Sequence, residues 1–359
     1  MTELIAKKPR IEWIDAMRGF TMILVVAYHV SQQAFLVDIK QSASLPFLVL
    51  FRMPLFFFIS GFLAYRSKAV WSAGEYVRMV GKKARVQLVP TVVFFLVAAI
   101  LLSPGNIGKY LTAGVHSPTG GYWFTIALFH MLFIYYTFCF IVNHISKHAR
   151  WTIFLLWGIA IAAYETVYLP QWFDYAFGSK HPHEGWLFDT KFIQVMQYFQ
   201  FFVYGNIVHR YWDRFQRLLD THWFVLLVML LAFLSCADFL KLHVLEAEWT
   251  NLSRTVGMYA MLTLVFMFFR HYEAHVTRQT RLGRTLQYIG TRTLDIYMVH
   301  KLLIPNLPEV GQFFNQHHHN FVAEVVLSVA VALVVIGFCL LISNVLRLSP
   351  ILKKYLFGR

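Results

Sequence analysis

Runs of about twenty apolar residues recur from one end of this chain to the other, separated by short polar segments. A backbone in lipid must satisfy its own N–H and C=O groups, so such runs fold as helices. They fall at roughly 17–37, 44–65, 86–103, 122–145, 151–169, 191–209, 222–240, 252–270, 289–305 and 321–346. The ninth is the shortest and most polar. Of 359 residues, 58% are hydrophobic and only 14% charged, with a mean hydropathy of +0.54. A soluble domain of this length has no need of so much apolar surface. The expected fold is all-α: a polytopic membrane helix bundle of about ten transmembrane helices, in one domain over residues 1–359. The first run lacks a small-residue cleavage site and is too long for a signal peptide, so it is expected to be retained.

Basic residues set the expected orientation. With the N-terminus in the cytosol, the inner segments hold Lys7, Lys8 and Arg10, then Arg66 to Arg85, Lys147 and Arg150, Arg210 to Arg217, Arg270 to Arg284, and Arg347 to Arg359. The outer segments hold only Lys40, Lys109, Lys180 and Lys241. That asymmetry puts both termini inside. The net charge of +14 is therefore a topology signal, and no nucleic-acid partner is expected. Cys139, Cys236 and Cys339 all lie in apolar runs and are expected as free thiols. Ser103-Pro104-Gly105, Ser117 to Gly121 and His181 to Gly185 are turn formers in the outer loops.

Ionisable groups inside a span are costly and mark function by default. The first run, Asp15–Val37, carries Arg18 at its head and His29 near its middle. Eleven residues at 100° each make three turns plus roughly 20°, so both side chains share one helix face, roughly 16 Å apart. A neutral imidazole near the midplane can take a proton from a hydroxyl and return it. Asp15 precedes Arg18 by three residues and either holds the helix start or takes part in the chemistry. Gln33, with Gln32, follows His29 and is placed to orient the ring or bind a polar acceptor. In the second run, Pro54 frees a backbone carbonyl and Ser60-Gly61 permits close helix approach. Arg52 in that run must meet an anion, a carbonyl or water. Arg78, Lys82, Lys83 and Arg85 form a cationic ridge before the third run. It serves positive-inside topology or a phosphorylated cytosolic ligand. In the ninth run Thr293, Tyr297 and His300 share a face and line a cavity or pack on other helices, with Asp295 and Lys301 pointing elsewhere. Trp123 follows the Gly120-Gly121 turn, where an interfacial anchor is the commoner fate. Arg254 and Glu324 are further intramembrane charges without a partner evident in sequence.

Two signals are discounted. His209 and Asp213 have the HxxxD spacing of some soluble acyltransferases, but at a basic inner helix end. His317-His318-His319 is expected as a solvated outer loop, since no carboxylate or cysteine stands at ligand spacing; no metal is expected.

Arg18 and His29 at their spacing resemble the signature of the membrane acyltransferase-3 family, as does FRMPLFFFISGF at 51–62. Arg78, Lys82, Arg85 and Pro90 are similar to its basic motif, Tyr122-Trp123-Phe124 to the start of its fourth span, and Ile296 to His300 to a late motif. The resemblance covers essentially the whole chain. It departs at Lys82, where the family often has Arg, and at Arg52, where His is common. It implies about ten membrane helices and an enzyme of the bacterial inner membrane that O-acylates sugars, glycans or lipid-linked saccharides from cytosolic acyl-CoA, most often acetyl-CoA. No cofactor beyond that donor is implied. The site implied combines His29, Asp15 and Arg18 as catalytic residues with Arg78, Lys82, Lys83 and Arg85 for the donor. Gln33, Arg52, Trp123, Tyr297 and His300 line the acceptor cavity. The rival class is a transporter or flippase of a polar or glycolipid substrate, which shares midplane charges but more often shows inverted repeats. A non-catalytic membrane scaffold leaves Arg18 and His29 unexplained.

Overall fold

The computed structural model describes residues 10–37, 42, 44–66, 71–117, 119–145, 151–168, 185–239, 250–316 and 321–357. The His317–His319 run, most of the 181–185 turn, and Lys40, Lys180 and Lys241 lie outside the described residues. What is described is all-helical. In chain order the helices are α1 (Glu12–His29), α2 (Ser44–Ala64), α3 (Ala73–Leu102), α4 (Ile107–His116), α5 (Trp123–Ile145), α6 (Thr152–Ala163), α7 (Trp186–Asp189), α8 (Phe192–Arg210), α9 (Trp212–Leu219), α10 (His222–Phe239), α11 (Thr250–His271), α12 (Arg281–Thr291), α13 (Thr293–Leu303), α14 (Pro308–Gln316), α15 (Phe321–Leu346) and α16 (Pro350–Phe357).

Four described helices, α2, α3, α5 and α15, are long and apolar enough to cross a membrane; a fifth is counted if α9 and the start of α10, bent by 79°, form one span. This is fewer than the ten expected, and the reason is physical. The helices α1, α8 and α11 are long, but they carry charged and amide side chains and are wrapped by protein. A helix in a bundle interior need not be apolar, because other helices replace lipid around it. Burial grades the layers: 78% of the α2 window is buried, against 28% of α3 and of α15. The outward faces of α3, α10 and α15 carry Val92, Leu96, Leu226, Phe233, Val326 and Phe338 exposed, as a lipid-facing surface requires.

Two close helix crossings hold the centre. A Cβ on Gly19 of α1 would overlap the Leu286 carbonyl of α12, and one on Gly290 would overlap the Asp15 carbonyl. Gly61 of α2 and Gly205 of α8 likewise lie against the Phe202 and Phe58 carbonyls. Small residues let membrane helices approach to backbone contact, as expected at Gly61. The α3 helix begins at Ser72 with a capping box: Ser72 Oγ accepts from the Glu75 N–H at 3.3 Å and the Ser72 N–H donates to Glu75 Oε2 at 2.9 Å. From there it runs unbroken for 30 residues, about 45 Å. The expected cationic ridge is therefore the first turns of a span. The three cysteines are free thiols, as expected.

The ninth run departs from expectation. It is two short helices, α12 and α13, broken at Arg292 (φ −113°, ψ 17°). A buried network fixes the break: Asp295 accepts from Arg347 Nε and Nη2, both at 2.8 Å, from Ser343 Oγ at 2.5 Å and from Arg292 Nη1 at 3.3 Å. Asp295 thus ties α13 to the end of α15. Asp295→Ala strands two part-buried guanidinium groups. It should cost about 3–5 kcal/mol, read as a lowered Tm in detergent. Glu12→Gln, which touches a surface pair with Arg278, should leave Tm within about a degree of wild type.

Candidate active site

The α1 helix ends at His29 and passes into a single π turn, Val30–Ala34. The wider turn carries Gln32 and Gln33 outward beyond the imidazole. The Gln33 side-chain amide lies 3.3 Å from His29 Nδ1. His29, Gln32 and Gln33 line a cavity of ≈ 150 Å³ with Tyr28, Arg52, Trp123, Tyr198, Tyr297 and Lys301 among its walls. Gln32, Gln33 and Thr119 are exposed and mark its mouth; Trp123, Tyr198, Arg52 and Tyr297 are buried.

The expected shared face of Arg18 and His29 is present. Arg18 Nη2 donates to Thr293 Oγ1 at 2.9 Å, and the His29 ring stands 5.2 Å from that of His300. Both partners are on α13, at its start and near its end. His300 is fully buried behind the cavity. Its Nδ1 contacts the Tyr297 and Ile296 carbonyls at 2.8 and 3.1 Å, so Nδ1 carries the proton. The buried Nε2 then keeps its lone pair and has no hydrogen-bond partner among the described residues.

Tyr297 faces the cavity as expected, and its hydroxyl accepts from the Phe124 N–H at 3.2 Å. That N–H belongs to the first turn of α5, where helices leave donors unsatisfied. Tyr122 reciprocates by donating to the Met298 carbonyl at 2.9 Å. Tyr122 adopts φ +57°, a left-handed conformation costly for a bulky residue and found where a site demands it. The turn delivers Trp123 into the cavity wall, where it stacks on Tyr198 (6.0 Å, 23°), which stacks on Phe57. Trp123 is thus a wall residue and not an exposed interfacial anchor.

Two cations share this cavity. The Arg52 guanidinium lies 3.5 Å from the Tyr28 ring centroid, and its buried Nε has no hydrogen-bond partner among the described residues. Lys301, expected to point elsewhere, lines the same wall and lies 5.6 Å from the Tyr122 ring. It stands four residues after Tyr297 on one helix, and that spacing places the two on one face.

The remaining expected residues gather at the other end of α1. Asp15 pairs with Arg18 at 3.4 Å and Arg10 at 3.7 Å, about 21 Å from His29 by helical rise. Neither Asp15 nor Arg18 lines the cavity. Lys83 is half-buried and lies within reach of the charges of Arg66, Lys82 and Arg18. Arg78, Lys82 and Arg85 are exposed on the same helix. Arg18 lies within charge range of Lys83 on the α3 ridge.

Of the other intramembrane charges, Glu324 accepts from Ser42 Oγ at 2.6 Å and Ser44 Oγ at 2.5 Å, at the start of α2. Arg254 lies within charge range of Tyr164, Tyr168 and the cavity residue Tyr198. His209 contacts the Phe62 carbonyl through Nδ1 at 2.5 Å and stacks on its ring, a structural setting as expected.

Compared with known families, residues 11–344 match the family described as an acyltransferase domain, Acyl_transf_3. The chain belongs to the acyltransferase-3 family. It is accordingly an integral membrane acyltransferase, and the family match lends nothing to a transporter reading. No curated protein matches the chain, and no solved structure does.

For an acyltransferase-3 protein the cavity has the chemical parts of a transfer site: an imidazole held from one side, two cations and an aromatic wall. Gln33 can hold the His29 ring either by accepting from Nδ1–H or by donating to Nδ1. Gln33→Glu can only accept when ionised. It should retain most acyl transfer, while Gln33→Leu should lose roughly tenfold or more in kcat with the donor KM unchanged. Steady-state kinetics on both variants checks this.

Proposed function

We propose that this protein moves an acyl group, most simply acetyl, from cytosolic acyl-CoA to a hydroxyl of a sugar, glycan or lipid-linked saccharide, with His29 as general base. It works in a bacterial inner membrane as a bundle of about ten spans with both termini in the cytosol. The interior helices α1, α8 and α11 count among those spans because protein shields their polar groups. The observation that carries the reading is the placement of charge along α1. One end holds Arg18 within charge range of Lys83, and the other presents His29 to a cavity holding Arg52 and Lys301.

The donor phosphates meet Lys82, Lys83 and Arg85, with Arg78 beside them and Arg18 at the inner edge. Guanidinium and ammonium groups pair with phosphate, and Lys82 does so as a point charge. The thioester arm follows the α1–α13 seam over the roughly 16 Å from Arg18 to His29. The acceptor enters at the Gln33–Thr119 mouth and lays its ring on the Trp123–Tyr198 wall. The Gln33 amide nitrogen stands at Nδ1; with that amide turned over so that its carbonyl oxygen accepts from Nδ1–H, His29 Nε2 holds the lone pair. It takes the acceptor hydroxyl proton as that oxygen attacks the thioester carbonyl carbon. The negative charge formed on the carbonyl oxygen is met by Lys301 and Arg52, preorganised cations in a site largely closed to water. Collapse breaks the C–S bond, the CoA thiolate takes the proton from His29, and an ester and free CoA leave. Asp15 acts by holding Arg18. His300, its Nε2 bare, backs the His29 ring.

Purified protein with radiolabelled acetyl-CoA and a sugar acceptor tests the reading. His29→Ala should cut transfer by about 10²–10⁴-fold with Tm unchanged; wild-type rates would remove His29 as the base. Arg18→Ala combined with Lys83→Ala should raise the acyl-CoA KM about tenfold or more. An unchanged KM would leave these cations with topology alone. Glycan mass spectrometry of a deletion strain should show the loss of one acyl mass increment, which names both the group and its carrier.

A further inference from the structure

On the far side of α12 from the Gly19–Gly290 crossing lies a second feature that acyl transfer does not use. A groove of ≈ 470 Å³ between α12 and α15 is lined by Ile289, Leu333, Ile336, Gly337 and Leu340, with Arg284 and Tyr288 also on its wall. Arg284 and Tyr288 are shared with an adjoining hollow of ≈ 300 Å³ that adds Arg10, Arg278 and Gln287. The two form one continuous depression, apolar along α15 and cationic beside the start of α1. From Leu333 to Leu340 the apolar part spans roughly 10 Å along the helix. Its floor is open at Gly337, where an added Cβ would meet nothing within 4 Å. Its wall is fixed by Tyr288, whose hydroxyl donates to Asn344 Oδ1 at 3.0 Å. Among the described residues the guanidinium groups of Arg10 and Arg278 have their ion-pair carboxylates at 3.7 Å, Asp15 and Glu12 respectively, and Arg278 Nε also donates to Gln287 Oε1 at 3.3 Å. Among the described residues Arg284 has no ion-pair partner.

We propose that this depression binds one anionic glycerophospholipid of the cytosolic leaflet. Its phosphate sits among Arg278, Arg284 and Arg10, and an acyl chain lies in the groove over Gly337. Charge complementarity and shape select the occupant together. Guanidinium groups hold phosphate bidentately, and a basic pocket between membrane helices on the cytosolic side fits an anionic headgroup. A hydrocarbon-lined groove opening directly from that pocket fits the attached chain. A soluble phosphate would satisfy only the cationic half, and a zwitterionic lipid brings its own cation against Arg284. The lipid would brace α12 on α15. It rests on the membrane setting of the chain and is independent of the acyl-transfer chemistry.

Native mass spectrometry in neutral detergent tests it, without acyl-CoA. The full chain is titrated with phosphatidylglycerol or with phosphatidylcholine of the same chains. Wild type should retain phosphatidylglycerol about fivefold or more over phosphatidylcholine, the factor one cation–phosphate attraction carries. Arg284→Gln should lower phosphatidylglycerol retention about fivefold and leave phosphatidylcholine unchanged. Gly337→Trp fills the groove and should lower retention of phosphatidylglycerol even though every arginine remains. Glycerophosphoglycerol, the headgroup without chains, should fail to compete. Equal retention of the two lipids by wild type, which involves no variant, would overturn the proposal. So would undiminished phosphatidylglycerol retention in both variants, or competition by the chain-free headgroup as strong as by the lipid.

Discussion

The α1 helix cannot face lipid. It carries Glu12, Asp15, Arg18 and His29 within eighteen residues, and an uncompensated charge in hydrocarbon costs several kcal/mol. Much of the architecture follows from wrapping that one helix. The α12 helix approaches to backbone contact at Gly19 and Gly290. Thr293 accepts from Arg18, and Arg10 pairs with Asp15. The apolar helices α3 and α15, mostly unburied, stand outside. Membrane helices gain no hydrophobic energy from leaving lipid for one another. Close packing and polar pairing hold such a centre together, and α1 supplies both.

The same wrapping separates two groups of polar residues along one axis. The cations at the Arg18 end are gathered by α1, the 66 position and α3, three separate parts of the chain. Like charges brought together in a low-dielectric setting repel. They are held so only by the surrounding fold, and an anion relieves them. At the other end Arg52 and Lys301 share a cavity with a histidine whose Nδ1 faces the Gln33 side-chain amide. A substrate that is anionic at one end and develops negative charge at the other suits both.

Much of this was legible in the sequence because intramembrane polar residues are few and each must have a reason. Arg18, His29, Arg52 and Tyr297 stood out by composition alone, and helical spacing put the first two on one face. The close approach at Gly61 followed from residue size. What escaped depends on tertiary context. Nothing local marks Arg292 as a break; the break is held by Asp295 meeting Arg347 some fifty residues away. The left-handed Tyr122 has a glycine before it but no turn signature of its own. It exists because Tyr122 and Tyr297 exchange bonds with the neighbouring helix. Lys301 lies four residues after Tyr297 and shares its face of the cavity, whereas His300 lies buried behind it. Hydropathy marks only four or five of the described helices as spans, because an interior helix need not be apolar.

A cryo-electron microscopy structure of the full chain with a non-transferable acyl-CoA analogue addresses the central claim directly. The account predicts the acyl carbonyl in the cavity between His29 and the cations Lys301 and Arg52, with the phosphates at the Lys83 end of α1 and the pantetheine arm along the α1–α13 seam. An analogue whose acyl end lies outside that cavity, or whose phosphates bind away from Lys83 and Arg18, would contradict it.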